Sequence, residues 1–555
     1  MASCANATLT PEIKTYDEVN KNTKARSVAS VYSPQARTNT TINSLHNQQV
    51  TITGSGSHSL IIETGGTLQP QDKNKVIYIN GQNSNTLTLT NLTNKGTIDG
   101  QVAVENSNDS FTGTITVNTF ENKGQIIGQI YMGIWAGKGT INVDKFDNSG
   151  TMVGNDRGVY FQGNTNIKSF TNSGLISGDQ GVSLSGGTIN SFNNLGTING
   201  NSSGVFVAGG NIKTLVNSGM ITTGEDIFGA GIKLEYGGTI ENIINTGTIQ
   251  SNNLGMAVSW GKFGTLTIKD GGVIYGKTAG ITVGQWQTLG DLYIDGGKNT
   301  SKDGTVSGIY SDNFGISLET GSSSQKIELV NGGIIKGKVH GIRLINSASL
   351  SGEMILSGEG SRVEGGSGSG ISNQSGKIEG SIKVEDGATV TSSSGQAISN
   401  SGSGSITGGI TVSGENTKLE GNIINTGNAS IGSDIKIEGG AKVEGGLVNE
   451  GSASITGAIT IESGSKLDSI TNTSTSDTGI SGSITNNSDN KLEISNGEGA
   501  TIGGGITNNG NADLVISNQG SVGKDENGNT VTNNGSGSVG IKDWVVSTDK
   551  DTGKL

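Results

Sequence analysis

One short pattern, Asn-x-Gly followed within a few residues by Ile or Val, constrains what this chain can become more than any other feature. It starts at Asn94, Asn122, Asn148, Asn172, Asn194, Asn217 and Asn245, at intervals of 28, 26, 24, 22, 23 and 28 residues. A strict local pattern on loose spacing describes coils whose strands are fixed and whose turns vary. A second column reads Gly-apolar-x-apolar: "GIWA" (Ile134, Ala136), "GVYF" (Val159, Phe161), "GVSL" (Val182, Leu184) and "GVFV" (Val205, Val207), running on to "GIRL" (Ile342, Leu344). In a third column an apolar residue is followed three later by another, as in Ile167 and Phe170 or Ile189 and Phe192.

Three short alternating strands per repeat of 22 to 28 residues predict an all-β fold, a single long parallel β-helix of right-handed sense with three strands per coil. Each strand then pairs with its equivalent in the next coil, about 4.8 Å away. Identical positions stack. Phe120, Phe146, Phe170 and Phe192 are expected to form an aromatic ladder inside, and the Asn column a ladder of amides at a turn. The Gly that follows each Asn is expected to supply a positive φ at a sharp corner.

Composition points the same way. The 555 residues include 94 Gly, 3 Pro and 1 Cys, and aliphatic and aromatic residues make only 31%, too little for thick globular cores. Charged residues are also scarce at 15%, which argues against disorder. A net charge of −12 and the lack of a basic stripe exclude nucleic acid as a natural partner. The single cysteine, Cys4, excludes a disulfide framework. Its setting, "ASC", reads either as an unpaired thiol or as the acylated cysteine of a bacterial lipoprotein, which would tether the chain to a membrane.

Four stretches are expected along the chain. Residues 1–40 do not repeat and read as a leader or cap; residues 41–350 form coils with larger side chains and an aromatic outer face. Residues 351–540 form a Ser/Gly-rich stalk of the same coil, as the 24-residue offset between "EGGAKVEG" (Glu438 to Gly445) and "ESGSKLDS" (Glu462 to Ser469) suggests. Residues 541–555 carry Trp544 and the Val545–Val546 pair.

A long Gly/Asn/Ser/Thr-rich β-helix almost without cysteine resembles the secreted passenger domains of bacterial autotransporters (type V secretion). The tail "SVGIKDWVVSTDKDTGKL" sits where such passengers carry their last coils before the translocating barrel. The "NxGxI" coils and the "ASC" start resemble Campylobacter-type autotransporter adhesins in particular. The resemblance implies display at the bacterial cell surface or outer membrane, or secretion from it. It also implies an outer-membrane barrel of the protein's own as partner, beyond this chain, and no cofactor.

Catalysis finds little support. Polysaccharide hydrolases of this architecture need paired carboxylates, whereas "VHGIRL" (Val339 to Leu344) offers only His340 and Arg343. Serine-protease passengers carry a "GDSGS" motif, absent here. The scattered His46, His58 and His340 and one Cys make no zinc site, so no metal or enzyme activity is expected. "GEDIFGAG" (Gly224 to Gly231) reads as a solvated acidic turn.

The unusual feature is aromatic. In a chain with 4% Phe, Trp and Tyr, the outward position of the second column reads Trp135, Tyr160, Ser183, Phe206, Lys233, Ala257, Thr282, Ser317, Arg343. Tyr236 and Trp260 follow that column's second apolar residue by two, and Trp286 by three. These six aromatics are either covered by another segment of the chain, or they form a contact stripe. The stripe reading predicts an adhesin that binds a host-cell glycan or protein. The alternative is self-association between copies on neighbouring cells, with a polysaccharide-active enzyme a remoter third reading and a surface coat a fourth.

Overall fold

The computed structural model describes residues 39–81, 86–106, 110–134, 138–224, 226–297 and 306–545. Cys4, Trp135 and Val546 lie outside them, as do nearly all of the expected leader and the last ten residues. Every regular element among the described residues is a strand, and every pairing between strands is parallel. The fold is a long parallel β-helix.

One coil shows the plan. Thr140–Asn148 forms the first wall, Thr151–Val153 the second and Arg157–Gln162 the third. The chain then returns to the first wall at Thr165–Asn172, in register with the coil before it: Val143 opposite Ile167, Phe146 opposite Phe170, Asn148 opposite Asn172. First-wall strands build a 27-stranded sheet, and second- and third-wall strands build a 31-stranded one. In tighter coils the latter two walls merge, as in Leu175–Ser185, where the register shifts between Gly178 and Gln180.

Side chains alternate in and out along each wall, and the core is one side chain deep. Phe146 stacks on Phe120 at 4.4 Å and on Phe170 at 4.8 Å, and Phe170 meets Phe192 at 4.5 Å. The edge of Phe161, from the third wall, meets Phe146 at 5.7 Å. Two walls therefore touch directly across the axis. Burying each ring contributes about 1.5–3 kcal/mol, and each ring pair adds about 0.5–1.5 kcal/mol.

The Asn column forms the expected ladder at the first corner. Asn94, Asn122, Asn148, Asn172, Asn194 and Asn217 each donate from Nδ2 to Oδ1 of the next Asn at 2.7–2.8 Å. Nδ2 also reaches a backbone carbonyl of the following coil, for example Asn148 to Leu175 at 3.1 Å. All these side chains are buried, so the ladder satisfies turn backbone that water cannot reach.

The partner glycine has a different reason from the expected one. Gly124, Gly150, Gly174, Gly196, Gly219 and Gly247 do not adopt positive φ. A Cβ on any of them would instead overlap the carbonyl oxygen of the equivalent Gly in the preceding coil. Close stacking of backbone on backbone, not left-handed geometry, excludes a side chain at this corner.

The ladder also changes corner, which the repeat pattern did not disclose. Asn245 is followed in register by Ile268, Ile294, Leu329, Leu356 and Val384. At the other end of the third wall, the apolar column ending in Leu344 continues as Asn373, Asn400, Asn425, Asn449 and Asn472. These form a second amide ladder at 2.8–2.9 Å. The first corner regains asparagine at Asn486, Asn508 and Asn533. The coil itself continues across residue 350 without a break, Leu350 pairing with Ile378.

Candidate functional site

The outward column of the third wall starts earlier than its sequence pattern indicated. Tyr160 stands beside Ser183, Phe206, Lys233, Ala257, Thr282, Ser317 and Arg343 in consecutive coils, as expected. On its other side is Tyr131, not Trp135. Ile130 and Met132 fill the inward places opposite Val159 and Phe161, which displaces the expected "GIWA" alignment by four residues. Before Tyr131 come Ala103 and Tyr78.

This column packs on itself. Large side chains stand beside small ones, which are buried: Ala103 and Ser183 are fully buried, and Ala257 and Ser317 nearly so, although all four point away from the core. Tyr131 is only 4% exposed; its ring lies 5.5 Å from that of Tyr160, and its hydroxyl donates to Gln162 Oε1 at 3.2 Å. The Arg157 guanidinium lies 4.2 Å from the centre of the Tyr160 ring. Tyr160 is thus held by its neighbours, and Phe206 is half-buried in the same way.

The other three aromatics behave differently. Tyr236, Trp260 and Trp286 are 67%, 64% and 72% exposed. They occupy the corner that closes the third wall in three consecutive coils, where neighbouring coils place Gly163, Gly186, Gly209 and Gly321 with φ between 62° and 91°. Tyr236 and Trp286 themselves hold φ of 50° and 62°. A bulky residue there costs on the order of 1–3 kcal/mol. Trp260 meets Tyr236 edge-on at 6.3 Å, and the Trp286 indole lies against Gly321, where any Cβ would collide with it. The result is a ridge of large apolar rings, held by backbone geometry and open to solvent.

A further exposed pair was missed. Ile227 and Phe228, 72% and 74% exposed, lie in the loop that opens the third-wall strand Ala230–Glu235, with the Phe228 N–H held by Asp226 Oδ1 at 2.8 Å. The stretch read as a solvated acidic turn therefore presents apolar side chains at the opposite end of the strand from Tyr236. The sequence "DIFG" carried that signal.

His340 and Arg343 serve each other's surroundings. Arg343 pairs with Glu319 at 2.8 Å, donates to Ser317 Oγ, and lies 3.8 Å over the Phe314 ring. His340 stacks on the same Phe314, and its Nδ1 accepts from the Ser369 N–H at 2.9 Å. Burial, aided by the Arg343 charge, holds its imidazole below the usual range. Among the described residues no group of three or more His, Cys, Asp or Glu is placed to share a metal ion.

No protein-family model, curated protein or solved structure matches this chain.

Proposed function

We propose that this chain is a surface-displayed attachment protein of the autotransporter-passenger kind, binding a host-cell glycan or protein through the ridge Tyr236, Trp260, Trp286. The observation that carries the reading is the corner itself. Three large rings occupy three successive positions that other coils give to glycine, two of them in left-handed backbone, and all remain about two-thirds exposed. Such an arrangement costs stability and gains nothing from the core. Its energetic return comes on binding, where burying each ring is worth about 1.5–3 kcal/mol and aromatic anchors dominate contact energies. The continuous core beneath keeps the ridge fixed, so little freedom is lost when a partner docks. The Ser/Gly-rich coils beyond residue 350 act as a stalk in this reading.

The test is saturable binding of the purified chain to cultured epithelial cells, measured by flow cytometry. The comparison is a Tyr236→Gly, Trp260→Ala, Trp286→Gly variant shown by circular dichroism to be folded. The proposal expects at least a tenfold loss of affinity; equal binding by the variant refutes it.

Self-association is the second reading. It is favoured by the exposed amide row Asn487, Asn509 and Asn534, bonded coil to coil at 2.7 and 2.9 Å on the stalk surface. Concentration-dependent sedimentation of the purified chain would support it, and a monomer at every concentration would exclude it.

A further inference from the structure

Beside Tyr131 and Tyr160 the outer face of the solenoid opens into a groove of about 450 Å3, three coils before the ridge begins. Gly133 makes room for the Tyr131 side chain in its wall. Glu105 and Gln162 flank that position in the adjacent coils, and a side chain there would overlap the Tyr131 hydroxyl. At about 4.8 Å per coil the groove and the ridge lie roughly 15 Å apart along the axis, so one partner could reach both or either alone.

The walls are polar and their charges are already matched. Glu105, 3% exposed, is paired with Lys75, and Arg157 is paired with Asp156 at 2.7 Å and donates to Gln180 Oε1 at 3.1 Å. Between them, Gln101 donates to Gln129 Oε1 at 3.3 Å. The Gln129 amide N–H2 makes no hydrogen bond among the described residues, and neither does the Gln101 Oε1. The groove therefore presents uncommitted amide donors and an acceptor beside tyrosine rings, with no unpaired charge.

We infer that this groove is a binding subsite for a short neutral saccharide. An anionic ligand would have to share Lys75 and Arg157 with the carboxylates already seated on them, Glu105 and Asp156, whose like charge repels it. A cation would meet Lys75 and Arg157. Neutral hydroxyl groups can donate to Gln101 Oε1 and accept from Gln129 Nε2 while every ion pair stays intact, and the partly exposed Tyr160 ring, with Arg157 over it, offers apolar contact at the groove wall. The volume lies within the range of small-ligand sites.

The experiment uses the full chain. An array of neutral, sialylated and sulfated oligosaccharides identifies a binder, and calorimetric titration measures it. Gln101→Ala/Gln129→Ala and Tyr160→Ala are compared with Leu195→Ala, and circular dichroism establishes folding. A neutral saccharide is expected to bind with little dependence on salt, to weaken about tenfold in the first two variants, and to bind Leu195→Ala, altered at an exposed residue outside both groove and ridge, unchanged. Binding of no neutral saccharide overturns the inference. So does binding only of anionic ones with steep salt dependence, and so does indifference to the groove variants. Cell attachment by the Gln101→Ala/Gln129→Ala variant is scored separately, so that a failure here is distinct from a failure of the ridge.

Discussion

Replacing Asn172 by Ala tests whether the amide ladder holds the solenoid together. Its Nδ2 donates to Asn194 Oδ1 at 2.8 Å and reaches the carbonyls of Thr197 and Gly174, both at 3.2 Å, while its Oδ1 accepts from Asn148 Nδ2 at 2.8 Å. Alanine leaves Asn194 Oδ1 buried without the ladder donor, at about 1–3 kcal/mol, and removes two further bonds worth about 1 kcal/mol each: that of the second Nδ2 hydrogen, shared between the two carbonyls, and that from Asn148. The expected loss is about 3–5 kcal/mol. Asn166 is the control, since its exposed amide bonds to Asn142 Oδ1 at 3.3 Å, and Asn166→Ala should cost less than about 0.5 kcal/mol.

Asn172→Asp sharpens the test, because a carboxylate would face three acceptor oxygens and only the protonated acid could donate to one of them. Its folded-state pKa is therefore raised above the unfolded value of about 3.9. The variant should be least impaired below that pH and progressively destabilised as pH rises above it. Local stability is best read by hydrogen exchange across residues 148–197, with urea unfolding as a global check, because coils in a solenoid need not unfold together. Equal losses for Asn172→Ala and Asn166→Ala, or a pH-independent Asn172→Asp, would refute the reasoning.

Gly174→Ala should destabilise by about 1–3 kcal/mol, since its Cβ would overlap the Gly150 carbonyl oxygen; thermal denaturation unchanged from wild type would contradict close stacking as the reason for the glycine. Tyr236→Gly should raise stability by about 1 kcal/mol by relieving left-handed backbone, measured in the same melts, and a loss of that size would mean the ring packs on something unrecognised. Burial pushes the folded-state pKa of His340 below the unfolded value of about 6.5. Its contribution is therefore present above that pH and lost as pH falls below it. A pH titration of stability should show this dependence in wild type and a weaker one in His340→Gln.

Much of this architecture is legible in the sequence because stacking converts a one-dimensional repeat into spatial columns. The Phe120-to-Phe192 ladder, the Asn94-to-Asn245 ladder and the grouping of Tyr236, Trp260 and Trp286 in consecutive coils follow from counting along the coil, whereas the exposure of those three rings does not. What failed did so for local reasons. "QIYMGIWAG" contains two successive alternations, Ile130/Met132 and Ile134/Ala136, and the preceding glycine marked the wrong one. The third wall begins early in this coil because only Gly128 and Gln129 separate it from the second-wall strand Gln125–Ile127, whereas "GNDR" intervenes before Gly158 in the next coil. Positive φ and close backbone approach both demand glycine, so "NxG" alone could not distinguish them. The ladder's change of corner depends on two separate steps, Asn245 to Ile268 at one corner and Leu344 to Asn373 at the other, which no local motif announces.

The central claim is that the corner ridge meets the cell. Hydroxyl-radical footprinting of the chain, free and bound to epithelial cells, measures this residue by residue through the oxidation of Tyr236, Trp260 and Trp286. Severalfold protection of all three on binding, with Leu195 and Ile541, also exposed, reacting as in the free chain, is the predicted result. Saturable cell binding that leaves the three rings as reactive as before would contradict it.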